Sequence, residues 1–482
     1  MEGQSSSSTN ELFCAHRTRS LARKLALNPT LLTKYSDILV DQEHRGFIEQ
    51  VQDPVSTTRC HYIPHHAVHK DSPTTPVRIV YDCSSHQAKN QPSLNNCLLT
   101  GQPQLNDLCC IILRFRLHPV GICTDIEKAF LHIQLREDDR DYTRFLWLSD
   151  LQDPDNNVVS GCPSESEAIS YYNEARSIMN GAHFNLRSWA SNSSQLMDQA
   201  SRDKISDINN PVNVLGLQWN TKADKLSLTS KSSIPSITSL ITKREVLKES
   251  SKVFDPLGLL SPVSVKAKIF MQSLWQRNLD WDELLSNEDQ QQWLSIAENI
   301  QEARCLQISR QYFPIVSASE QPDTLHIFAD ASLTAYGAVA FLCSGNNTSF
   351  VMAKSRVAPL KPLTLPKLEL MGALTAARLC DFIVQALRPL TLLTHFWSDS
   401  QITLHWIKGE KRTGTFVTHG VTEILNLSRP DHWQYYPTQD NPADLLTRGI
   451  TSSQLKSSTL WKQGPQWLPS KDNWPTELLA NH

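Results

Sequence analysis

The sequence contains no apolar run of 18 residues, which excludes a membrane-spanning helix of ordinary length. It has no basic excess: 46 Lys and Arg stand against 49 Asp and Glu, for a formal net charge of −3. No chain-wide positive field therefore announces a nucleic-acid partner, and such binding would have to use local basic faces. The 11 cysteines follow no repeated spacing, so no disulfide framework is indicated. The densest group of metal-type side chains is Cys60, His61, His65, His66 and His69. It fits no zinc spacing and lacks a second cysteine pair, so these residues read as surface and packing positions. The opening stretch MEGQSSSSTN is polar and lacks a secretory pattern. The expectation is an intracellular protein, cytoplasmic or nuclear, with reduced thiols and no membrane association.

What is present is ordinary globular material: 482 residues, 40% hydrophobic and 20% charged. Residues 1–20 are Ser-rich and polar and are expected to be disordered. Residues 21–230 mix helical and strand patterns. PVRIVYDCS and VGICTDI read as strands, and Pro163-Ser164-Glu165 opens a helix to about Asn180. VNVLGLQWN, a polar TKAD turn and KLSL read as a hairpin. Residues 231–320 are mainly helical, interrupted by FDPLGLLSP, whose Pro and Gly force a turn. Residues 321–450 order as three strands, a long amphipathic helix with Pro366 in its first turn, a strand, and further helices flanking a short fifth strand. Residues 451–482 read as an irregular tail.

Four acidic residues recur at telling places in the 321–450 region. Asp330 ends the first strand in IFADAS, and Glu369 sits near the start of the long helix in LPKLEL. Asp399 ends the fourth strand in FWSDSQ, and Asp444 begins the last helix in NPADLL. Each has an ordinary structural reading: a turn aspartate, a solvated helix glutamate, a helix cap, a charge at a helix N-terminus. Taken together, carboxylates at adjacent strand ends and on a covering helix converge, and converging carboxylates repel unless a cation neutralises them. Mg²⁺ (or Mn²⁺) suits such hard oxygen donors, and two ions about 4 Å apart support in-line displacement at phosphorus.

A fifth acidic position lies upstream. GICTDIEKAFLHIQL places Asp125 at the end of an apolar strand, with Phe130 following after five positions. Alone, Asp125 reads equally as a strand-end turn residue.

The motifs ADASLTAYGAVAF, LPKLELMGAL, WSDSQITLHWI and NPADLLTRG resemble the ribonuclease H-like domain of BEL/Pao-type LTR retrotransposon polyproteins. The resemblance implies a two-metal endonuclease that cuts RNA in RNA–DNA hybrids, with Asp330, Glu369, Asp399 and Asp444 as metal ligands. It also suggests a histidine ahead of the last carboxylate, for which His432 is the nearest candidate. A rival reading takes ADAS for the Asp-Ser/Thr-Gly/Ala of retroviral-type aspartic proteases. Such enzymes use two aspartates sharing a proton; here Ala follows Asp330 and no flap-like glycine hairpin is nearby.

The first half resembles the same polyproteins. HYIPHHAVHKDSPTTPVRIVYDCSSHQAKNQPSLNNCLLTG is similar to reverse-transcriptase fingers, and TDIEKAFLHIQLREDDRDYTRFLW to the first palm carboxylate motif. This implies Asp125 as a catalytic metal ligand, Phe130 beneath the incoming sugar, and Arg78 and Lys70 as donors to the triphosphate. The resemblance further implies a Tyr-x-Asp-Asp/Asn turn carrying the second aspartate. No such tetrapeptide occurs, and LQDPDNNVV runs directly into SGCPSESEAISYYNEARS, a join at Val159–Ser160. VLGLQWNTKADKLSL and KREVLKESSKVFDPLGLLSPVSVKAKIFMQSLWQ resemble thumb and connection.

The expected fold is thus a multidomain α/β and α+β chain, partial fingers and truncated palm followed by an RNase H-like domain with a central mixed sheet. The expected function is Mg²⁺-dependent cleavage of RNA in RNA–DNA hybrids, with polymerase activity lost. The alternative is an inert relic that binds nucleic acid.

Overall fold

The computed structural model describes residues 10–51, 60–69, 77–88, 90–99, 107–127, 129, 131, 133, 135–147, 156–181, 184–207, 209–228, 241–313, 324–409, 414–437 and 440–475. Residues 1–9, Lys70, Phe130 and the polar stretch 150–155 lie outside these. The described residues form two compact units: those within 1–105, 124–158 and 172–189, and those within 106–123, 159–171 and 190–482. Among them no helix is long and apolar enough to cross a membrane.

In the first unit, helices Glu11–Ala26 and Pro29–His44 accompany an antiparallel hairpin, His65–His69 with Val77–Tyr81. The expectation of disorder across 1–20 is therefore corrected from Glu11 onward. The helix is anchored at its start, where Asn10 exchanges hydrogen bonds with the backbone of Tyr62 (2.7 and 2.8 Å) and buried Cys14 lies beneath. Asn28 caps the second helix by accepting from the Leu31 N–H at 3.2 Å. His65 is a packing histidine: Tyr35 Oη lies 2.6 Å from its Nδ1, and its Nε2 lies 2.8 Å from the Leu146 carbonyl. Trp147 and Phe145 ring it edge-on. A three-stranded sheet, whose strands each have residues in both units, has Val120–Ile126 in the middle, flanked by Asn156–Cys162 and Leu186–Ser191. The expected join at Val159–Ser160 falls inside the strand Asn156–Cys162.

The second unit holds two sheets. One is four-stranded, in chain order Val212–Val214, Leu217–Asn220, Lys225–Leu228 and Gln307–Ser309. VNVLGLQWN is thus two strands, not one, because Leu215 and Gly216 adopt positive φ (49° and 87°) and reverse the chain between them. Buried Arg310 locks this sheet, donating to both carboxylate oxygens of Asp224 (2.7 and 2.8 Å) and to the carbonyls of Phe115, His118 and Pro119.

The other sheet is five-stranded and mixed. Its strands are β1 (Thr324–Ala331), β2 (Ala335–Ser344), β3 (Asn347–Val357), β4 (Leu393–Ser398) and β5 (Trp433–Tyr435), ordered β3-β2-β1-β4-β5. β1, β2 and β3 form an antiparallel meander, while β4 runs parallel to β1 and β5 to β4. Helix α1 (Leu365–Ala386) connects β3 to β4; a parallel neighbour needs such a crossover. Its buried stripe, including Leu368, Ala373, Ala376, Leu379, Cys380 and Ile383, packs on the sheet. Three shorter helices follow: α2 (Gln401–Lys408), α3 (Thr415–Leu427) and α4 (Asp444–Arg448).

Two findings redraw the region's limits. The FDPLGLLSP segment lies along edge strand β3, where the Ala353 N–H donates to the Leu257 carbonyl at 2.9 Å. A Cβ on Gly258 would stand 2.1 Å from the Ala353 carbonyl oxygen, so only glycine permits this approach. Helices Lys243–Ser251, Ser261–Gln276 and Asn287–Ala303 thus belong to the same compact unit as the sheet. The tail is also ordered, with helices Ser452–Ser457 and Thr459–Gln463. Trp461 is fully buried and donates to the Leu259 carbonyl, and Trp467 and Trp474 pack edge-on against Trp397.

Candidate metal-binding site

β1 and β4 lie parallel with Phe328 opposite Trp397. Asp330 and Asp399 each stand two residues beyond that pair. Asp330 is in β1 and Asp399 just past the end of β4, so this register brings both carboxylates to the same end of the sheet. α1 brings in the third carboxylate. Gly372 lies against the backbone of Asp330, and a Cβ there would meet the Asp330 carbonyl oxygen at 2.8 Å. This near contact of helix and strand places Glu369, one turn earlier, over the strand end. The result is one cluster: Asp330, Glu369 and Asp399 each present an oxygen, all within 4.8 Å of one another. Among the described residues this is the one group of three or more carboxylate, His or Cys side chains that could hold a metal.

α4 supplies the fourth carboxylate. Gly337 pairs with Asp330 across β1 and β2, and Leu446 of α4 rests against it, 3.2 Å from where a Cβ would stand. Buried Asn441 donates to the Ala329 carbonyl (3.3 Å) and accepts from the Ala443 N–H (3.0 Å), setting the entry to α4. Asp444 begins that helix, with Arg448 Nε 2.7 Å from its Oδ1 but without hydrogen-bond alignment. Thr447, on the same helix, donates its hydroxyl to Asp330 Oδ2.

The electrostatics follow from this crowding. Burial pushes the Glu369 carboxyl up to about 9, and the charges of Asp330, Asp399 and Asp444 add to it; the Ala331 backbone N–H offsets part. Asp330 is pushed up to about 7, first by burial and then by Asp399 and Asp444, against the Thr447 hydroxyl and Arg448. Asp444 is raised by burial and Asp399 and lowered by Arg448. Glu369 Oε2 is buried with no hydrogen-bond partner. An orphaned oxygen inside a set of hard oxygen donors fits Mg²⁺ or Mn²⁺. Asp330 meets a helix glutamate as well as Asp399, a set larger than the two aspartates that peptidase chemistry uses.

His432 does not join this site. Its Nδ1 lies 2.9 Å from Thr394 Oγ1, at the opening of β4, whereas Asp399 follows that strand's far end. Asp399 is five residue steps beyond Thr394 along extended chain, roughly 16 Å. Asp125 is also outside it. It is buried near the end of Val120–Ile126, with Arg187 Nε 3.8 Å from its Oδ2. Glu127 beside it accepts from Arg45 and Asn185, both at 2.9 Å. Arg78 lies in the strand Val77–Tyr81 opposite Val68. Sequence reasoning missed Gly337, Gly372, Asn441 and Thr447. A glycine three residues after Glu369 in a helix interior was a usable signal, since it marks close approach of another backbone.

A family model, the Pao retrotransposon-like RNaseH-like domain, matches residues 242–400. No curated protein matches the chain. Among solved structures, the chain is similar to the foamy viral protease-reverse transcriptase dRH in complex with double-stranded DNA. That match has 12% identity and a TM-score of 0.55, and covers 90% of this chain and 71% of that one. A second foamy viral protease-reverse transcriptase structure, also with double-stranded DNA, matches at 15% identity and TM-score 0.50, covering 83% of this chain and 81% of the other. At these identities the likeness shows the fold. Residues 242–400 therefore match the Pao retrotransposon-like RNaseH-like domain, within a chain whose fold is similar to that of the foamy viral protease-reverse transcriptase.

Proposed function

We propose that the carboxylate site is a metal-dependent nuclease centre acting on the RNA strand of RNA–DNA hybrids, and that the chain does not synthesise DNA. The observation that carries the reading is the convergence of Asp330, Glu369 and Asp399 oxygens within 4.8 Å, beside Asp444. The family of the domain and its solved neighbours, which are complexes with double-stranded DNA, support nucleic acid as the partner.

In this reading Asp330, Glu369, Asp399 and Asp444 hold Mg²⁺ or Mn²⁺. Bound there, the ions supply an activated water and neutralise charge at the scissile phosphate. Asp330 and Asp399 form the floor of the site on two adjacent strand ends, so their spacing is set by the sheet. Glu369 closes it from α1, and Asp444 borders it from α4. Arg448, largely exposed beside Asp444, keeps a positive charge at the rim. The absence of DNA synthesis in this reading is supported by the missing Tyr-x-Asp-Asp turn, and Arg187 stands between the Asp125 and Glu127 carboxylates.

The test is cleavage of an end-labelled RNA–DNA hybrid by the full-length chain in Mg²⁺, Mn²⁺ and EDTA. Cleavage in either metal and none in EDTA is expected. Asp381, which accepts from Gln385 at 3.1 Å on the same helix as Glu369, is the control, and Asp381→Asn should cleave as wild type does. A folded wild-type chain that leaves the hybrid intact in both metals would establish the inert relic instead.

A further inference from the structure

We propose that Thr447 is a positioning residue of the acidic site: its hydroxyl holds Asp330 Oδ2, fixing the orientation in which Asp330 is presented to Glu369 and Asp399. The inference rests on the metal-site reading above. Thr447 is fully buried, and a buried hydroxyl needs a partner. Two acceptors lie within its reach, Asp330 Oδ2 and, at 3.1 Å, the main-chain oxygen of Asp444. A hydroxyl has one proton to donate, and the carboxylate is the stronger acceptor.

The contact does not stand alone. Ser332 Oγ donates to the carbonyl of Thr447 at 3.1 Å, and Asn441 reaches the carbonyl of Ala329. Helix α4 and the turn that enters it are therefore tied to the Ala329–Ser332 segment on both sides of Asp330 and at Asp330 itself. Through Thr447 the first carboxylate is linked to the helix that carries the fourth, and Asp330 cannot turn without breaking the Thr447 hydrogen bond. The competing ordinary account is a threonine that merely bonds back to a carbonyl three residues earlier in its own helix, as helix threonines do. That account gives Thr447 a stake in folding and none in metal affinity.

The two accounts separate in the full-length chain with Thr447→Val, which keeps the shape and removes the donor, and Thr447→Ser, which keeps the donor. Mn²⁺ binding is measured by titration calorimetry, alongside hybrid cleavage over a Mg²⁺ series and thermal melting in EDTA. Residues that hold a metal ligand in place typically change affinity or activity 10–100-fold. Thr447→Val is expected to weaken Mn²⁺ binding by about 10-fold or more and to raise the Mg²⁺ needed for half-maximal cleavage by a similar factor, with Thr447→Ser close to wild type. Should Thr447→Val not fold, Thr447→Cys, a weak donor of similar size, should fall between the two. Wild-type Mn²⁺ affinity in the Val or Cys variant, or a Ser variant as impaired as Val, would overturn the proposal. A wild-type chain that binds no Mn²⁺ would instead remove the site reading on which it rests.

Discussion

Asp125 and Asp330 occupy the same kind of place. Each is the penultimate residue of a strand, each is buried, and each follows a run of apolar residues. Their surroundings are opposite. Asp125 stands beside Arg187, and its neighbour Glu127 is held by Arg45 and Asn185; burial works to raise Glu127, but those partners keep it below the usual carboxylate range. Asp330 stands beside Glu369 and Asp399, and burial, with the charges of Asp399 and Asp444, pushes it up to about 7. A buried aspartate at a strand end is thus no evidence of metal chemistry by itself. What decides is whether the next shell supplies cations of its own or leaves negative charge to be neutralised from outside.

The largest expected contrast comes from removing one charge at each place. Asp330→Asn and Asp399→Asn should each lower hybrid cleavage by on the order of 10²-fold or more, as losing a major electrostatic contribution does. Asp125→Asn should leave cleavage unchanged in the same assay. Equal losses at Asp125 and Asp330 would erase the distinction.

The next largest concerns the approach of α1. Gly372→Ala would put a methyl group 2.8 Å from the Asp330 carbonyl oxygen, so the helix carrying Glu369 must move. Displacements of this size can cost up to about 10²-fold in rate, and overpacking about 1–3 kcal/mol in stability. Gly181→Ala, where a Cβ meets nothing within 4 Å, should do neither. Cleavage rates and melting temperatures of the two variants decide it.

A smaller effect sharpens the charge argument. Glu369 rises from 4.5 to about 9 and Asp330 from 3.8 to about 7, so both bind protons more tightly folded than unfolded. Between about pH 4 and 9 the metal-free fold then holds more protons than the unfolded chain, and its stability falls as pH rises through that window. Melting in EDTA should show this decline. Glu369→Gln should flatten it and melt roughly 2–4 °C higher at pH 8. Mg²⁺ should stabilise wild type more at pH 8 than at pH 6, because the ligands must lose their protons to bind. A wild-type melting temperature independent of pH and of Mg²⁺ would contradict the crowded-carboxylate picture.

The same contrast explains what could be read from the sequence. Asp330, Asp399, Glu369 and Asp444 were legible because a strand end and a helix start leave local signatures: alternating apolar residues, Pro366, a polar residue after each run. The parallel alignment that places Asp330 beside Asp399 was not, since pairing depends on contacts between Phe328 and Trp397, far apart in sequence. Arg187 was equally hidden, because no spacing rule links it to Asp125 across the intervening chain. His432 misled through sequence proximity to Asp444, while the fold carries it to the opposite end of β4. The tail misled through its prolines, although Thr451 and Gln454 form a capping box and Trp461 is fully buried. A fragment ending at Gly449 would lose that tryptophan, and burial on this scale typically stabilises by about 3–5 kcal/mol. Activity is therefore to be assayed on the full chain.

The central claim is that one of the two buried aspartates serves a metal site and the other does not. Its most direct test places both activities on one preparation: primer extension on an RNA template and cleavage of an RNA–DNA hybrid, each in Mg²⁺ and in EDTA. The account predicts Mg²⁺-dependent cleavage that is lost in Asp330→Asn, with no primer extension. Primer extension that disappears in Asp125→Ala, from a chain that leaves the hybrid uncut, would contradict it.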